Sequence, residues 1–330
     1  MENHPLPPNF KAWQLVLGSS NTNVIYALTK SGVIEQLRDS PKSLQHLSEN
    51  CKLNPDVLYR TLRFAIAIDV IVLNNNEYSL TDTGKFLLED VPGSLYGGLM
   101  LIGNEPWQRS WNNLLHSLTT GEGAFDSAMG DSFFGYLEKH PEYGEPYNNW
   151  MTTISKMGSK AISEAYDFTP FKTICDIGGG QGIMLECILS AAPHIKGILF
   201  DQESVLKTHL LSNMASRVEI KTGNFFESVP SADILIMKTV LHDWDDNKSL
   251  LILNSCKKVM TQDTKLLIVE MVIGNNSEII GLFYDLHMQV MLAGRERTED
   301  EFRTLLQRAG LKLNRIIPTK SPLKIIEASL

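Results

Sequence analysis

The sequence contains no run of about 20 apolar residues, the length a membrane-spanning helix needs, so no segment reads as a span. Cysteine is scarce. Cys51, Cys175, Cys187 and Cys256 are the only four, and none lies at metal- or redox-type spacing from another. Unpaired thiols suit a reducing compartment, so a cytoplasmic chain without disulfides is expected. Positive charge is also short: 30 Lys and Arg stand against 38 Asp and Glu, a net of −8. Neutralising nucleic-acid phosphates requires a basic face, which disfavours that class of partner. Residues 1–10 carry three prolines and no basic stretch followed by an apolar one, so no secretory leader is visible. Neither an internal repeat nor a low-complexity linker is found, and no metal is expected.

What is present is an ordinary globular composition, 43% apolar over 330 residues, enough for two domains or one large one with additions. Residues 1–100 read as helices followed by a hairpin. Trp13, Val16, Leu17, Val24, Ala27 and Leu28 recur near helical spacing over 11–28, with Gly18 a weak point. Asn54-Pro55 has the form of an N-cap with proline at the first helical position. Val70 to Leu73 and Glu77 to Leu80 flank the turn signal Asn74-Asn75-Asn76, and Thr81 to Gly84 opens another helix. Helix, helix and two-stranded wing is the outline of a winged helix. Residues 1–100 hold eight Lys and Arg against ten Asp and Glu, a net of −2. That balance favours a packing and dimerisation module over a DNA reader. Residues 101–165 are rich in rings, including Trp107, Phe134 and Tyr147, which suit either a core or a pocket for a flat ligand.

From about residue 166 the pattern becomes α/β. Strands are expected at 173–177, 196–200, 218–222, 232–237 and 266–269, with helices at 182–192, 204–214 and 246–260. Alternation of this kind implies a doubly wound, parallel sheet. The first strand runs into Asp176-Ile177-Gly178-Gly179-Gly180-Gln181-Gly182. A dinucleotide fingerprint needs glycine at the first, third and sixth places, but here the third glycine falls at the fifth. That spacing favours S-adenosylmethionine (SAM) over NAD. Asp201 closes the second strand, where an acid can accept both ribose hydroxyls of a nucleoside. Asn224-Phe225 follows the third strand, with a polar group for the adenine amino group and a ring for its face. The fourth strand leads through Lys238 to His242-Asp243-Trp244, at the carboxyl edge where open α/β sheets bind ligands. His242 is the candidate general base, and Glu270 and Glu296 are its candidate orienters.

These pieces together resemble a class of SAM-dependent O-methyltransferases. It includes the plant caffeate and isoflavone enzymes, animal acetylserotonin methyltransferase and bacterial polyketide and phenazine enzymes. The resemblance covers nearly the whole chain. It rests on the Gly178 to Gly182 loop, Phe200-Asp201, Lys238, His242-Asp243-Trp244, Glu270 and Glu296-Arg297-Thr298. Upstream, Gly121, Ala124-Phe125, Tyr143, Tyr147 and Met151 match the family's helical substrate cap.

The resemblance implies three parts: a winged-helix dimerisation domain over 1–100, a helical linker and cap over 101–165, and a Rossmann-like SAM domain over 166–330. It implies an intertwined homodimer. By the same likeness, Asp176, Gly178, Gly180, Asp201, Asn224, Phe225 and Lys238 would hold SAM. Trp107, Phe134, Tyr147, Met151, Met288 and Met291 would line the acceptor, a small, flat molecule with a phenolic or enolic hydroxyl.

Three positions depart from the family pattern. Asn224 stands in place of the usual Asp, Gln202-Glu203 replaces Leu-Pro, and 26 positions separate Glu270 from Glu296, fewer than in the plant enzymes. Two rivals remain at this stage: a SAM-fold enzyme of non-methylating or C-methylating chemistry, and a SAM-sensing winged-helix regulator.

Overall fold

The computed structural model describes residues 7–274 and 279–330, and most of the proline-bearing N-terminal stretch lies outside them. The chain divides into two compact units: residues 1–108 with 140–150, and residues 109–139 with 151–330.

The first unit begins with two helices, Pro8–Val16 and Gly18–Lys30. A single helix over 11–28 was expected; the chain instead breaks at Leu17, just before the weak Gly18. Helix Pro55–Ala67 starts as its sequence dictates, with the Asn54 side chain accepting from the Asp56 and Val57 N–H groups at 3.1 Å. Strands β1 (Ile71–Asn74) and β2 (Glu77–Leu80) pair antiparallel. Asn75 and Asn76 both adopt positive φ between them, as a tight two-residue hairpin turn requires. Leu28, Ile34, Leu47, Leu62 and Ile71 form the core beneath.

The second unit is built on a seven-stranded sheet. Its strands are β3 (Thr173–Ile177), β4 (Lys196–Asp201), β5 (Val218–Thr222), β6 (Ile234–Lys238), β7 (Lys265–Glu270), β10 (Lys312–Pro318) and β11 (Lys324–Ser329). Two short strands, β8 (Val272–Ile273) and β9 (Arg297–Thr298), pair separately. The order across the large sheet is β10-β11-β7-β6-β3-β4-β5. Strands β3 to β7 run parallel, whereas β11 and β10 add an antiparallel edge to a sheet whose strand-helix alternation implies parallel strands alone.

Alternation along each strand feeds two cores. Cys175, Ile177, Leu235 and Met237 pack on one face with Ile252 and Phe302 from the helices Asp246–Val259 and Glu299–Arg308. Ile174, Ile234, Ile236 and Leu267 pack on the other with Leu185 and Ile188 from helix Ile183–Ala191. Helices on both faces confirm the doubly wound, mostly parallel α/β sheet.

One expected helix does not form as a continuous element. Residues 204–214 form only a short helix, Glu203–Leu206, and a 3-10 turn, Ser212–Met214. Between them the chain turns toward the glycine loop: Leu210 N–H donates to the Gln181 carbonyl at 3.0 Å, and the His209 ring accepts from Leu211 N–H at 3.2 Å. Those bonds replace the helical ones.

Candidate active site

The glycine loop leaves β3 at the carboxyl edge of the sheet. Gly178, Gly180 and Gly182 all have positive φ, which residues with a Cβ adopt only under strain. At Gly178 an added Cβ would also press to 3.0 Å from Val240, with the Phe225 ring 3.6 Å away. The loop is tied to the next strand, because Gly180 N–H donates to Asp201 Oδ2 at 2.8 Å while Gln202 N–H donates to Oδ1 at 2.7 Å. Burial raises the Asp201 carboxyl, and these two donors oppose the rise. Each oxygen still has a lone pair to offer, which suits a ribose diol.

Beneath the loop, Asp176 is 1% exposed and its Oδ2 has no partner among the described residues. Burial pushes its carboxyl up to about 7, against the pull of the Lys238 ammonium. Burial also lowers Lys238, which Asp176 and Glu270 in turn raise. An unsatisfied acid and a confined cation match the ammonium and carboxylate of an amino-acid tail. Asn224 is exposed and spends much of its side chain locally, accepting from Phe226 N–H at 3.0 Å and donating to Glu227 at 3.1 Å. Phe225 is half-buried, edge-on to Phe226 with centroids 4.8 Å apart. The donor set thus fits a cofactor carrying both a nucleoside and an amino acid.

His242 lies on the turn Leu241–Asp243 that follows β6. Its Nδ1 meets Glu296 Oε1 at 2.8 Å and Glu270 Oε2 at 3.7 Å, while Nε2 is 3.3 Å from Asp243 Oδ1. The two glutamates do different things. Glu270 Oε1 accepts from the N–H groups of Val240, Leu241 and His242 at 3.0, 3.0 and 3.4 Å, so this carboxylate folds the turn. Glu296 is the direct hydrogen-bond partner of the ring. Burial disfavours a charged imidazole, but the negative charge of Glu270, Asp243 and Glu296 outweighs it and pushes His242 up to about 10. Burial takes Glu270 up to about 7 and Asp243 to about 6.

A second layer fixes this triad. Arg295 N–H donates to the His242 carbonyl at 2.8 Å, and Glu296 N–H donates to Asp285 Oδ1 at 3.0 Å. The Arg297 guanidinium, 1% exposed, donates to the carbonyls of Leu241 and Trp244 at 3.0 and 2.9 Å. It also reaches Asp246 Oδ1 at 2.9 Å and Ser249 Oγ at 3.1 Å. Arg297 therefore clamps both sides of the histidine turn.

The expected acceptor residues belong to both units. Trp107 and Tyr147 belong to the first unit, with ring centroids 6.3 Å apart, and Trp107 is buried. In the second unit Phe134 is exposed, Met151 is half-buried, and Met288 and Met291 are buried on helix Ile279–Leu292. Asp243, Arg297 and His287 carry no role assigned from sequence, and Trp111 is one of the rings of 101–165 that suit a core or a pocket. Asp243 and Arg297 lie inside the quoted motifs, but only the fold reveals what they touch.

Comparison with known proteins agrees with this geometry. The family model described as an O-methyltransferase domain matches residues 111–312. A phenazine O-methyltransferase of Lysobacter antibioticus is 38% identical over 96% of this chain and 94% of its own. Among solved structures, a mitomycin 7-O-methyltransferase superposes with a TM-score of 0.91 at 31% identity, covering 97% of each chain. A methyltransferase of calicheamicin biosynthesis, solved with S-adenosylhomocysteine (SAH) bound, gives 0.86 at 27% identity over 99% of each.

Proposed function

Because this chain belongs to the O-methyltransferase family and is a SAM-dependent O-methyltransferase, we propose that it methylates a phenolic or enolic hydroxyl of a small, flat acceptor, with His242 as the general base. The observation that carries the reading is the 2.8 Å contact between His242 Nδ1 and the buried Glu296, at the edge of the sheet where the glycine loop opens.

SAM supplies an electrophilic methyl group on a positively charged sulfur. A phenol ionises near 10, so at neutral pH it is mostly protonated and a weak nucleophile. Nε2 of His242 takes the hydroxyl proton as the oxygen attacks, a contribution of about 10²–10⁴-fold. Glu296 fixes the ring through Nδ1 and stabilises the imidazolium that results. The surrounding carboxylates raise the affinity of that ring for the proton. A bound SAM would add positive charge at this edge of the sheet, and positive charge near an imidazole favours the neutral form that a base requires.

Asp201, Asp176 and Lys238 are assigned to the ribose and the amino-acid tail, Gly178 and Gly180 to close backbone approach, and Asn224 and Phe225 to the adenine. Trp107, Phe134, Tyr147, Met151, Met288 and Met291 are assigned to acceptor packing, within the three-part division 1–100, 101–165 and 166–330. The phenazine named for the Lysobacter relative makes a hydroxylated, fused-ring heteroaromatic the first acceptor to try. The N-terminal part is read as a winged helix that dimerises. Helix Pro8–Val16 buries none of its residues and exposes Phe10, Trp13, Leu15 and Val16, an apolar face suited to a second copy. Four free thiols favour work in the cytoplasm.

The test is methyl transfer from labelled SAM to a panel of hydroxyphenazines, hydroxybenzoates and polyketide phenols. A product heavier by one methylene, with one SAH released per turnover, is expected. Labelled product with the methyl on carbon would refute the hydroxyl reading.

A further inference from the structure

His287 lies outside the triad, on helix Ile279–Leu292. Trp111 Nε1–H donates to its Nδ1 at 3.2 Å. An indole nitrogen can only donate, so His287 Nδ1 must be the acceptor and its proton must sit on Nε2. The two rings lie 19° from parallel with centroids 6.0 Å apart, and the Phe283 ring stacks on both, 5.5 Å from Trp111 and 5.3 Å from His287. Trp111 and His287 thus form one broad aromatic platform with Phe283 on its face.

Two effects keep the imidazole neutral: burial first, then the positive charge of His242, which together push it down to about 4. The helix that carries His287 packs against the Leu241–Asp243 turn that carries His242. Among the described residues Nε2 has no hydrogen-bond partner, and the residue is only half-buried. A neutral, tautomer-locked N–H donor is therefore left open on the helix that packs against the turn of the base.

We propose that His287 is a specificity-determining residue that donates its Nε2–H to a second heteroatom of the acceptor, a ring nitrogen or carbonyl-type oxygen beside the hydroxyl to be methylated. The inference rests on the reading of His242 as the base that meets that hydroxyl. A site built to donate to a heteroatom discriminates strongly against the analogue lacking it, because the donor is then left unpaired.

The probes are 1-hydroxyphenazine and 1-hydroxyanthracene, which differ in the ring nitrogens. Affinity is measured by calorimetry on the full chain with SAH present. The wild-type protein should prefer the phenazine by roughly 10- to 100-fold. His287→Phe keeps a ring for the platform but removes the donor, and should bring the ratio near one by weakening the phenazine alone. His287→Gln, which retains an N–H, should restore part of the preference. ¹⁵N NMR of the wild-type imidazoles should find His287 protonated at Nε2 and untitrated from pH 5 to 8, and Trp111→Phe should release that lock. Equal wild-type affinities, an equal loss of both ligands in His287→Phe, or a proton on Nδ1 would overturn the proposal. The affinity ratio reads His287 and turnover of a His242 variant reads the base, so either assignment can fail without the other.

Discussion

The glycine loop after β3 and the histidine turn after β6 sit on the same edge of one sheet, yet they are made differently. The loop is local. Its conformation follows from glycines within five residues, and its anchor, Asp201, closes the adjacent strand. The turn is assembled from afar: Glu270 folds its backbone, Glu296 holds its ring, and Arg297 clamps its carbonyls from more than 50 positions away. A cofactor cradle can thus be specified by a short motif. A base of set protonation and direction needs several buried charges brought together by the fold.

Breaking the clamp should have the largest effect. Arg297→Met strands the Leu241 and Trp244 carbonyls in a buried setting, at a cost of about 3–5 kcal/mol. Thermal unfolding should fall by roughly 10 °C, and turnover should fall with it. A change of a degree or two would mean that the turn holds itself. The contrasting variant is Asp201→Ala, which strikes the cradle. SAM affinity should drop roughly 10- to 100-fold in calorimetry, while turnover at saturating SAM changes far less. Unchanged affinity would remove Asp201 from the cofactor site.

Glu296→Gln sharpens the comparison through pH. Removing one negative charge beside His242 makes the ring easier to deprotonate. The rising limb of the pH–rate profile should therefore move down by about one pH unit or more, even as the rate falls. An unmoved limb would assign it to another group. The smallest effect concerns stability. His242 is raised from 6.5 to about 10, so its contribution is full below 6.5 and is lost as pH climbs through 10. Unfolding temperatures of the cofactor-free chain should decline between pH 7 and 10, and less steeply in His242→Gln.

The strands, the Asn54 cap, the Asn75-Asn76 turn and the glycine loop were legible because each depends on neighbours in sequence. Helix 204–214 was misread because its apolar spacing could not reveal that Leu210 would bond to Gln181 instead of its own helix. The antiparallel β10 and β11 edge was missed for a related reason, since its strands derive their identity from pairing across the sheet. At the site, His242 and both glutamates were nameable from motif and resemblance. Their division of labour was not, because only geometry distinguishes three backbone donors on Glu270 from one ring nitrogen on Glu296. His287 carried no signal at all: its meaning comes from an indole 176 positions away.

The most direct test is single-turnover methyl transfer by His242→Gln with SAM and acceptor saturating, beside calorimetry of SAM binding. The expected result is a rate lower by about 10²–10⁴-fold with SAM affinity within a few-fold of wild type. A wild-type rate across the pH range would contradict a base at this position.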